Sequence, residues 1–330
     1  MVLLLSGNDV RSLVRMKDAI TIVEEAFNQQ AQGRVEMPLR PFVFLKENEG
    51  SLTVMPAYVG GSINALGTKL VTAFLKNYPK YGLPTVIGTI VLNDPKTGSL
   101  LAIIEGTYLT AIRTGATSGV ATKYLARKDA STVGIFGAGV QSRAQLTAMC
   151  EVRDIERAKV FDIDPTAKAK YCIEMTEKLE IEVLPVGSPR EVANGSDIII
   201  TATASKVPVF EGHWVNKGVH INAIGSHASD AREIDDITIQ GARIVVDWKR
   251  AVLEEEGGVG DIVIPLSRGL ILERDIDELN EVVSNKKPGR QAEDENTLFK
   301  SVGVAIEDVS TAAKVYELAV KKGIGRTLEL

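Results

Sequence analysis

The chain is predicted to be an α/β protein: a doubly wound parallel sheet joined to a second, α+β domain. Three observations carry that expectation. From residue 131 onward short β-branched runs alternate with helical segments; earlier in the chain two pairs of strand-like runs are each joined by a tight turn; and 330 residues suffice for about two ordinary domains at roughly 150 residues each.

The elements follow in order. Over residues 17–31, Ala19, Ile20, Ile22, Val23, Ala26 and Phe27 share one stripe while Glu24, Glu25 and Gln29 lie off it, the spacing of an amphipathic helix. Runs 41–45 and 52–59 are joined by Asn48-Glu49-Gly50, and runs 85–92 and 100–105 flank Asp94-Pro95-Lys96-Thr97-Gly98, so both pairs predict hairpins of an antiparallel sheet. Run 65–72 between them is also strand-like, and the helix predicted over 111–126 carries many small residues that permit close backbone approach. Strands alternating with helices are then expected at 132–136, 158–161, 182–186, 197–201, 220–224 and 243–246. Residues 285–295 are polar enough for an exposed loop, and 302–322 predicts a long helix whose apolar face is Val304, Ala305, Val309, Ala312, Ala313, Tyr316 and Ala319. That helix could return to the first domain. The boundary between the domains is expected near 126–131.

Composition excludes several function classes. The net charge of −5 and a pI near 5.5 argue against a binder of phosphate backbones, so no nucleic-acid partner is expected. No apolar run approaches the roughly 18 residues a membrane helix needs, and residues 1–5 lack the features of a signal peptide, so a cytoplasmic protein without a membrane partner is expected. Cys150 and Cys172 each fall in a predicted helix and are expected to be buried free thiols. His213, His220 and His227 are spaced by seven with glycines between them, which gives no short metal-ligand spacing, and no metal site is predicted.

The sharpest signal is Val133-Gly134-Ile135-Phe136-Gly137-Ala138-Gly139-Val140-Gln141-Ser142, a buried strand running through Gly-x-Gly-x-x-Ser into a helix. Gly137 permits the tight turn, Gly139 lets the backbone approach a pyrophosphate, and the helix start offers free N–H groups and the positive end of its dipole. Asp162 ends the next strand about 25 residues later, where a carboxylate accepts hydrogen bonds from an adenosine ribose. It favours NAD over NADP, and Asp164 adds repulsion against a 2′-phosphate.

Ligands of open parallel sheets sit outside the carboxyl ends of the strands. That rule brings forward Thr201-Ala202-Thr203-Ala204-Ser205 and Gly225-Ser226-His227, both expected to border the cofactor. His227 is therefore a functional candidate, whereas His220, inside a strand, is expected to be structural. Lys69 interrupts an apolar strand, Arg113 lies in the small-residue helix and Arg40 precedes a hairpin; three cations of this kind suit the clamping of a small carboxylate.

Taken together, Gly67-Thr68-Lys69, Gly82-Leu83-Pro84-Thr85, Thr110-Ala111-Ile112-Arg113-Thr114-Gly115-Ala116, Gly137-Ala138-Gly139-Val140-Gln141, His220-Ile221-Asn222-Ala223-Ile224-Gly225, Phe299-Lys300-Ser301-Val302-Gly303 and Ile306-Glu307-Asp308 resemble the ornithine cyclodeaminase/mu-crystallin family along nearly the whole chain. The resemblance implies a Rossmann NAD-binding domain over 127–304, and a substrate-binding and dimerisation domain built from 1–126 together with 305–330. It implies a homodimer that exchanges hydride between NAD(P) and a small imino, amino or keto acid. By the same resemblance Arg40, Lys69 and Arg113 hold the substrate carboxylate, Val302 lines the substrate, and Lys69 is a candidate proton donor. Thr85, Arg113, Val140, Gln141, Asp162, Thr203, Ala223, Ile224, Gly225, Ser226 and Ser301 line the cofactor.

One departure is informative. Cyclodeaminases and archaeal alanine dehydrogenases similar to this chain carry an Asp where His227 stands, and Ser229-Asp230-Ala231-Arg232-Glu233-Ile234-Asp235-Asp236 is more similar to mu-crystallins and ketimine reductases. The expected activity is therefore reduction by NADH, in preference to NADPH, of a cyclic imino acid such as Δ1-pyrroline-2-carboxylate, with Lys69 or His227 delivering the proton. Alanine dehydrogenation, ornithine cyclodeamination and non-catalytic ligand binding are the alternatives.

Overall fold

A computed structural model describes residues 1–74 and 76–329. It contains two compact units, Met1–Thr114 with Val304–Leu330, and Gly115–Gly303. The first division falls inside the helix Gly106–Leu125, ahead of the position expected from the sequence.

The first unit is built on an eight-stranded sheet. Along it lie Arg326–Leu328, Val2–Leu5, Leu100–Glu105, Val86–Asn93, Ala65–Phe74, Gly50–Val59 and Val35–Glu36, with Phe42–Leu45 pairing to Gly50–Val59 as well. The expected hairpins are present and antiparallel, while Val2–Leu5 joins Leu100–Glu105 in parallel. Alternation sorts the faces. Met55, Lys69, Ile90 and Ile104 stand in register across four strands on the buried face, and the helices Ala305–Lys322 and Met16–Ala31 pack together there. The opposite face carries Leu52, Val54, Leu66, Leu70, Ile87, Val91 and Ile103, all partly exposed.

The helix after this sheet starts at Gly106, five residues before the predicted start of 111. Two local features explain the early start. The Glu105 carboxylate accepts from the N–H of Thr107 at 2.7 Å and of Tyr108 at 3.1 Å, supplying the cap, and a Cβ on Gly106 would meet the Gly88 backbone at 2.7 Å.

The second unit is a doubly wound, wholly parallel sheet. Its strands lie in the order Glu182–Pro185, Arg157–Phe161, Thr132–Phe136, Ile198–Thr201, His220–Ala223, Asn296–Lys300, Ala242–Val246, Ile276–Glu278. The chain order runs outward one way to Glu182–Pro185 and then reverses, so the switch point lies between Thr132–Phe136 and Ile198–Thr201. Phe136, Ile199, Ile221, Ile244 and Leu298 form the centre of its core, with the Phe136 and Phe210 rings stacked at 5.5 Å.

The strand Asn296–Lys300 has no counterpart among the predicted strands because two of its five residues, Thr297 and Lys300, are polar and yet 0% exposed. Partners distant in sequence make that burial possible: Thr297 bonds His220 at 2.9 Å and the Leu125 carbonyl at 3.0 Å. His220 is structural, as expected; burial, chiefly, and the charges of Arg290 and Arg153 push its pKa down to about 3. Cys172 is buried and Cys150 only half-buried, since the Cys150 helix Val140–Val152 turns part of that face outward; both thiols are free. Among the described residues no helix is long and apolar enough to cross a membrane.

Candidate active site

In the second unit the glycine loop has the local geometry its sequence requires. Gly137 has φ +96°, a region that favours glycine, and a Cβ there would meet the Ala202 carbonyl oxygen at 2.6 Å. Gly139 caps the helix Val140–Val152 without any side-chain bond, a Cβ on it would meet nothing within 4 Å, and Val140 is 68% exposed. The first turn of that helix is therefore open to an anion. Arg143 donates back to the carbonyls of Ala138 at 2.7 Å and Gly139 at 3.0 Å, which ties down the same loop, while its charge is paired with Glu174 at 2.9 Å.

Asp162 ends the strand Arg157–Phe161 as expected, with one oxygen accepting from the Ala138 N–H at 2.7 Å and the other from the Asp164 N–H at 2.8 Å. A carboxylate has about four acceptor sites, so it can still receive ribose hydroxyls. The open helix start, the glycine without a Cβ neighbour and the acid beside them fit a dinucleotide.

Farther along the carboxyl edge the loops are tied down by buried carboxylates that the sequence reading did not single out. Glu233 accepts from the Thr201 hydroxyl at 2.8 Å, the Thr203 N–H at 2.7 Å, the Thr203 hydroxyl at 2.6 Å and the Gly225 N–H at 2.8 Å. Asp247 accepts from the Ser301 hydroxyl at 3.0 Å and from the N–H groups of Val302 and Gly303, both at 2.7 Å. These bonds draw Val302 and Gly303 away from the helix predicted from residue 302, which begins at Ala305. Asp261 accepts from the N–H groups of Glu233 at 2.8 Å and Ile234 at 3.0 Å and pairs with Lys300 at 2.9 Å. The Lys300 ammonium in turn donates to the Ser226 carbonyl at 2.7 Å.

Ala223, Ile224, Ser226, Ser301 and Val302 are all buried on this framework, Gly225 and Thr203 are half-buried, and Gln141 lies in the first turn of the Val140–Val152 helix. His227 follows them on an exposed loop.

The first unit brings Lys69 and Arg113 together. The C-terminal helix Ala305–Lys322 carries Glu307 and Asp308 in its first turn, both 0% exposed. Asp308 pairs with the Lys69 ammonium through Oδ2 and with Arg113 Nε through Oδ1, each at 2.8 Å, while Arg113 Nη1 donates to Glu307. Burial, foremost, and the neighbouring Arg113 charge pull the Lys69 pKa down to about 8, against the opposing pull of Asp308 and Glu307. Burial also works against the Arg113 charge, but Asp308 and Glu307 outweigh it and raise its pKa. The four side chains hold two positive and two negative charges in one desolvated group.

Arg40 stands on another segment, half-buried, with its guanidinium 5.9 Å from the centre of the Phe42 ring. Thr85 precedes the strand Val86–Asn93 and accepts from the Phe74 N–H through its carbonyl at 2.8 Å.

Fold and glycine loop together define an α/β protein of the dinucleotide-binding type. A family model described as "Ornithine cyclodeaminase/mu-crystallin family" matches residues 2–323, and the chain belongs to that family. It is 39% identical to alanine dehydrogenase of Archaeoglobus fulgidus over 99% of this chain and 98% of that one. Among solved structures it is similar to Thermococcus litoralis Δ1-pyrroline-2-carboxylate reductase in complex with NADH and L-proline, with 48% identity, a TM-score of 0.95, and coverage of 99% of this chain and 100% of that one. An archaeal alanine dehydrogenase dimer with bound NAD gives 37% identity and a TM-score of 0.91 over 100% of this chain and 99% of that one.

The ion cluster can be tested on stability alone. Asp308→Asn leaves Lys69 and Arg113 as buried cations with a single carboxylate between them, and urea unfolding should show a loss of about 3–5 kcal/mol. Adding Lys69→Met should recover part of that loss; a double variant no more stable than the single one would show that the two side chains are not coupled.

Proposed function

We propose that the protein is an NAD(H)-dependent reductase of a small cyclic imino acid of the Δ1-pyrroline-2-carboxylate type, giving the L-amino acid. The observation that carries this reading is the buried cluster in which Asp308 presents Lys69 and Arg113 side by side. Two adjacent cations suit one carboxylate, and arginine supplies directed, charge-assisted bonds. The 48% identity to a pyrroline-2-carboxylate reductase supports the same substrate class.

The Gly137–Gly139 loop, the start of the Val140–Val152 helix and Asp162 would hold the dinucleotide, whose bound nicotinamide supplies the hydride chemistry. Thr85, Arg113, Gln141, Thr203, the 223–226 loop and Ser301 would complete its lining. Arg113 and Lys69, with Arg40, would orient the substrate carboxylate, and Val302 would bound the ring. A lysine whose pKa is drawn to about 8 can give up a proton near neutral pH, so Lys69 is assigned as proton donor to the imine nitrogen, with His227 the second candidate. The alternative substrate is pyruvate with ammonia, favoured by the 39% identity to an alanine dehydrogenase.

NADH oxidation by the purified protein decides between them. Rapid oxidation with Δ1-pyrroline-2-carboxylate and no need for ammonium is expected; oxidation only with pyruvate and ammonium would establish the dehydrogenase instead. Arg113→Ala and Lys69→Ala should each lower kcat/KM by about 100-fold or more. Because Lys69 acts protonated, kcat/KM should fall as pH rises through about 8. Wild-type turnover by both variants would sink the site assignment.

NADH is proposed to be preferred over NADPH because Asp162 sits where a 2′-phosphate would bring two further negative charges. Asp162→Ser should narrow the ratio of NADH to NADPH kcat/KM by about fivefold, one pair of charges at the surface being worth roughly 1 kcal/mol. An unchanged ratio would remove Asp162 from the cofactor site.

A homodimer is also proposed, formed through the apolar face of Leu52, Val54, Leu66, Leu70, Ile87, Val91 and Ile103, since patches of this kind on a sheet mark protein interfaces. The double variant Val54→Lys, Leu70→Glu should run as a monomer in light scattering, where the wild type runs as a dimer; an unaltered mass would place the interface elsewhere. Free Cys150 and Cys172 suit the reducing cytoplasm proposed as its compartment.

A further inference from the structure

Glu233 is 0% exposed, and all of its bonds come from neutral donors: the hydroxyls of Thr201 and Thr203 and the N–H groups of Thr203 and Gly225. Each carboxylate oxygen accepts twice. Two of the four partners are backbone N–H groups that can only donate, one on each oxygen, and a carboxylate accepting at all four sites satisfies the whole ring.

Among the described residues no cation pairs with it. The charged groups around it are already matched: Asp261, which holds the Glu233 N–H, pairs with Lys300 at 2.9 Å, and the adjacent Arg232 pairs with Asp236 at 2.6 Å. One unneutralised negative charge therefore lies buried at the carboxyl ends of the strands Ile198–Thr201 and His220–Ala223. Loop positioning alone would not require a charge, since a neutral acceptor could hold some of these donors at a smaller desolvation cost.

Those two strands are the first and second on the far side of the switch point, the half of a doubly wound sheet that takes the second mononucleotide of a dinucleotide. Oxidised nicotinamide is a cation and reduced nicotinamide is neutral. We propose that Glu233 sets the oxidation-state preference of the cofactor site, its buried charge favouring the oxidised, cationic ring over the reduced one. The proposal rests on the assignment of the second unit as an NAD(H) site. Glu233 acts without touching the cofactor, through the field across Thr203 and Gly225, and so is a positioning and electrostatic residue.

Calorimetric titration of the intact protein with NAD+ and with NADH tests it without turnover. In Glu233→Gln the ratio Kd(NAD+)/Kd(NADH) should rise about tenfold over wild type, the order expected of one unit charge acting over roughly 12 Å at an effective dielectric of about 20. Thr201→Val, which removes one bond and keeps the charge, should lower the melting temperature and leave the ratio alone. A Glu233→Gln protein in which both affinities weaken equally, or neither changes, would overturn the proposal and leave Glu233 a structural acid.

Should Glu233→Gln fail to fold, the wild-type protein gives the same test. An NAD analogue with a benzamide in place of nicotinamide has the shape of NAD+ without its ring charge, and should bind about tenfold more weakly than NAD+. Equal or tighter binding of the analogue would overturn the proposal. A wild-type protein that binds neither NAD+ nor NADH would overturn the cofactor assignment itself, a separate result.

Discussion

Where a parallel strand ends, its loop leaves backbone N–H groups that no neighbouring strand can satisfy, and a buried donor without a partner costs about 1–3 kcal/mol. The second unit depends on meeting that demand with carboxylates. Glu233 closes the ends of two adjacent strands, Asp247 closes the turn after Asn296–Lys300, and Asp261 holds the backbone of Glu233 itself. The loops that border the proposed cofactor site are thus shaped by acids beneath them, while the glycine loop at the switch point keeps its helix start open. The two arrangements are complementary. One edge has its donors consumed by the protein, and the other leaves them available to an anion.

The parts legible in the sequence are those set by local rules. A strand, a left-handed glycine, a helix start and an acid at the next strand end lie within 132–162, and the structure has each in the expected place. Hairpins were equally plain because the Asn48-Glu49-Gly50 and 94–98 turns sit between alternating runs. The strand Asn296–Lys300 was hidden because its buried Thr297 and Lys300 imitate a polar loop, and only contacts with His220 and Asp261 make them core residues.

Non-local partners explain the other gaps. Asp308 lies 195 residues from Arg113, and Glu233 lies 32 residues from Thr201, distances over which spacing carries no information. A weak signal for Asp308 did exist. It falls one turn before Ala312 on the apolar stripe of the C-terminal helix, between Ala305 and Val309, where a solvent-facing acid has no place. Glu233 lies in a run with acids and apolar residues on both sides, and no periodicity marks it as buried.

Stability alone does not account for the cluster of Lys69, Arg113, Glu307 and Asp308. Desolvating four charges is expensive, and apolar side chains of similar volume would commonly hold such a site at least as well. Met55, Ile90 and Ile104, which stand in register with Lys69 on the same buried face, show the side chains that the sheet uses where packing is the only requirement. Placing a lysine in that row, and then two acids on the facing helix to keep it and Arg113 ionised, gives up cohesion for a fixed pair of cations. The arrangement makes physical sense when those cations have a second use. A small carboxylate is the ligand proposed for them, and the acids that share them would hold both in place before it arrives.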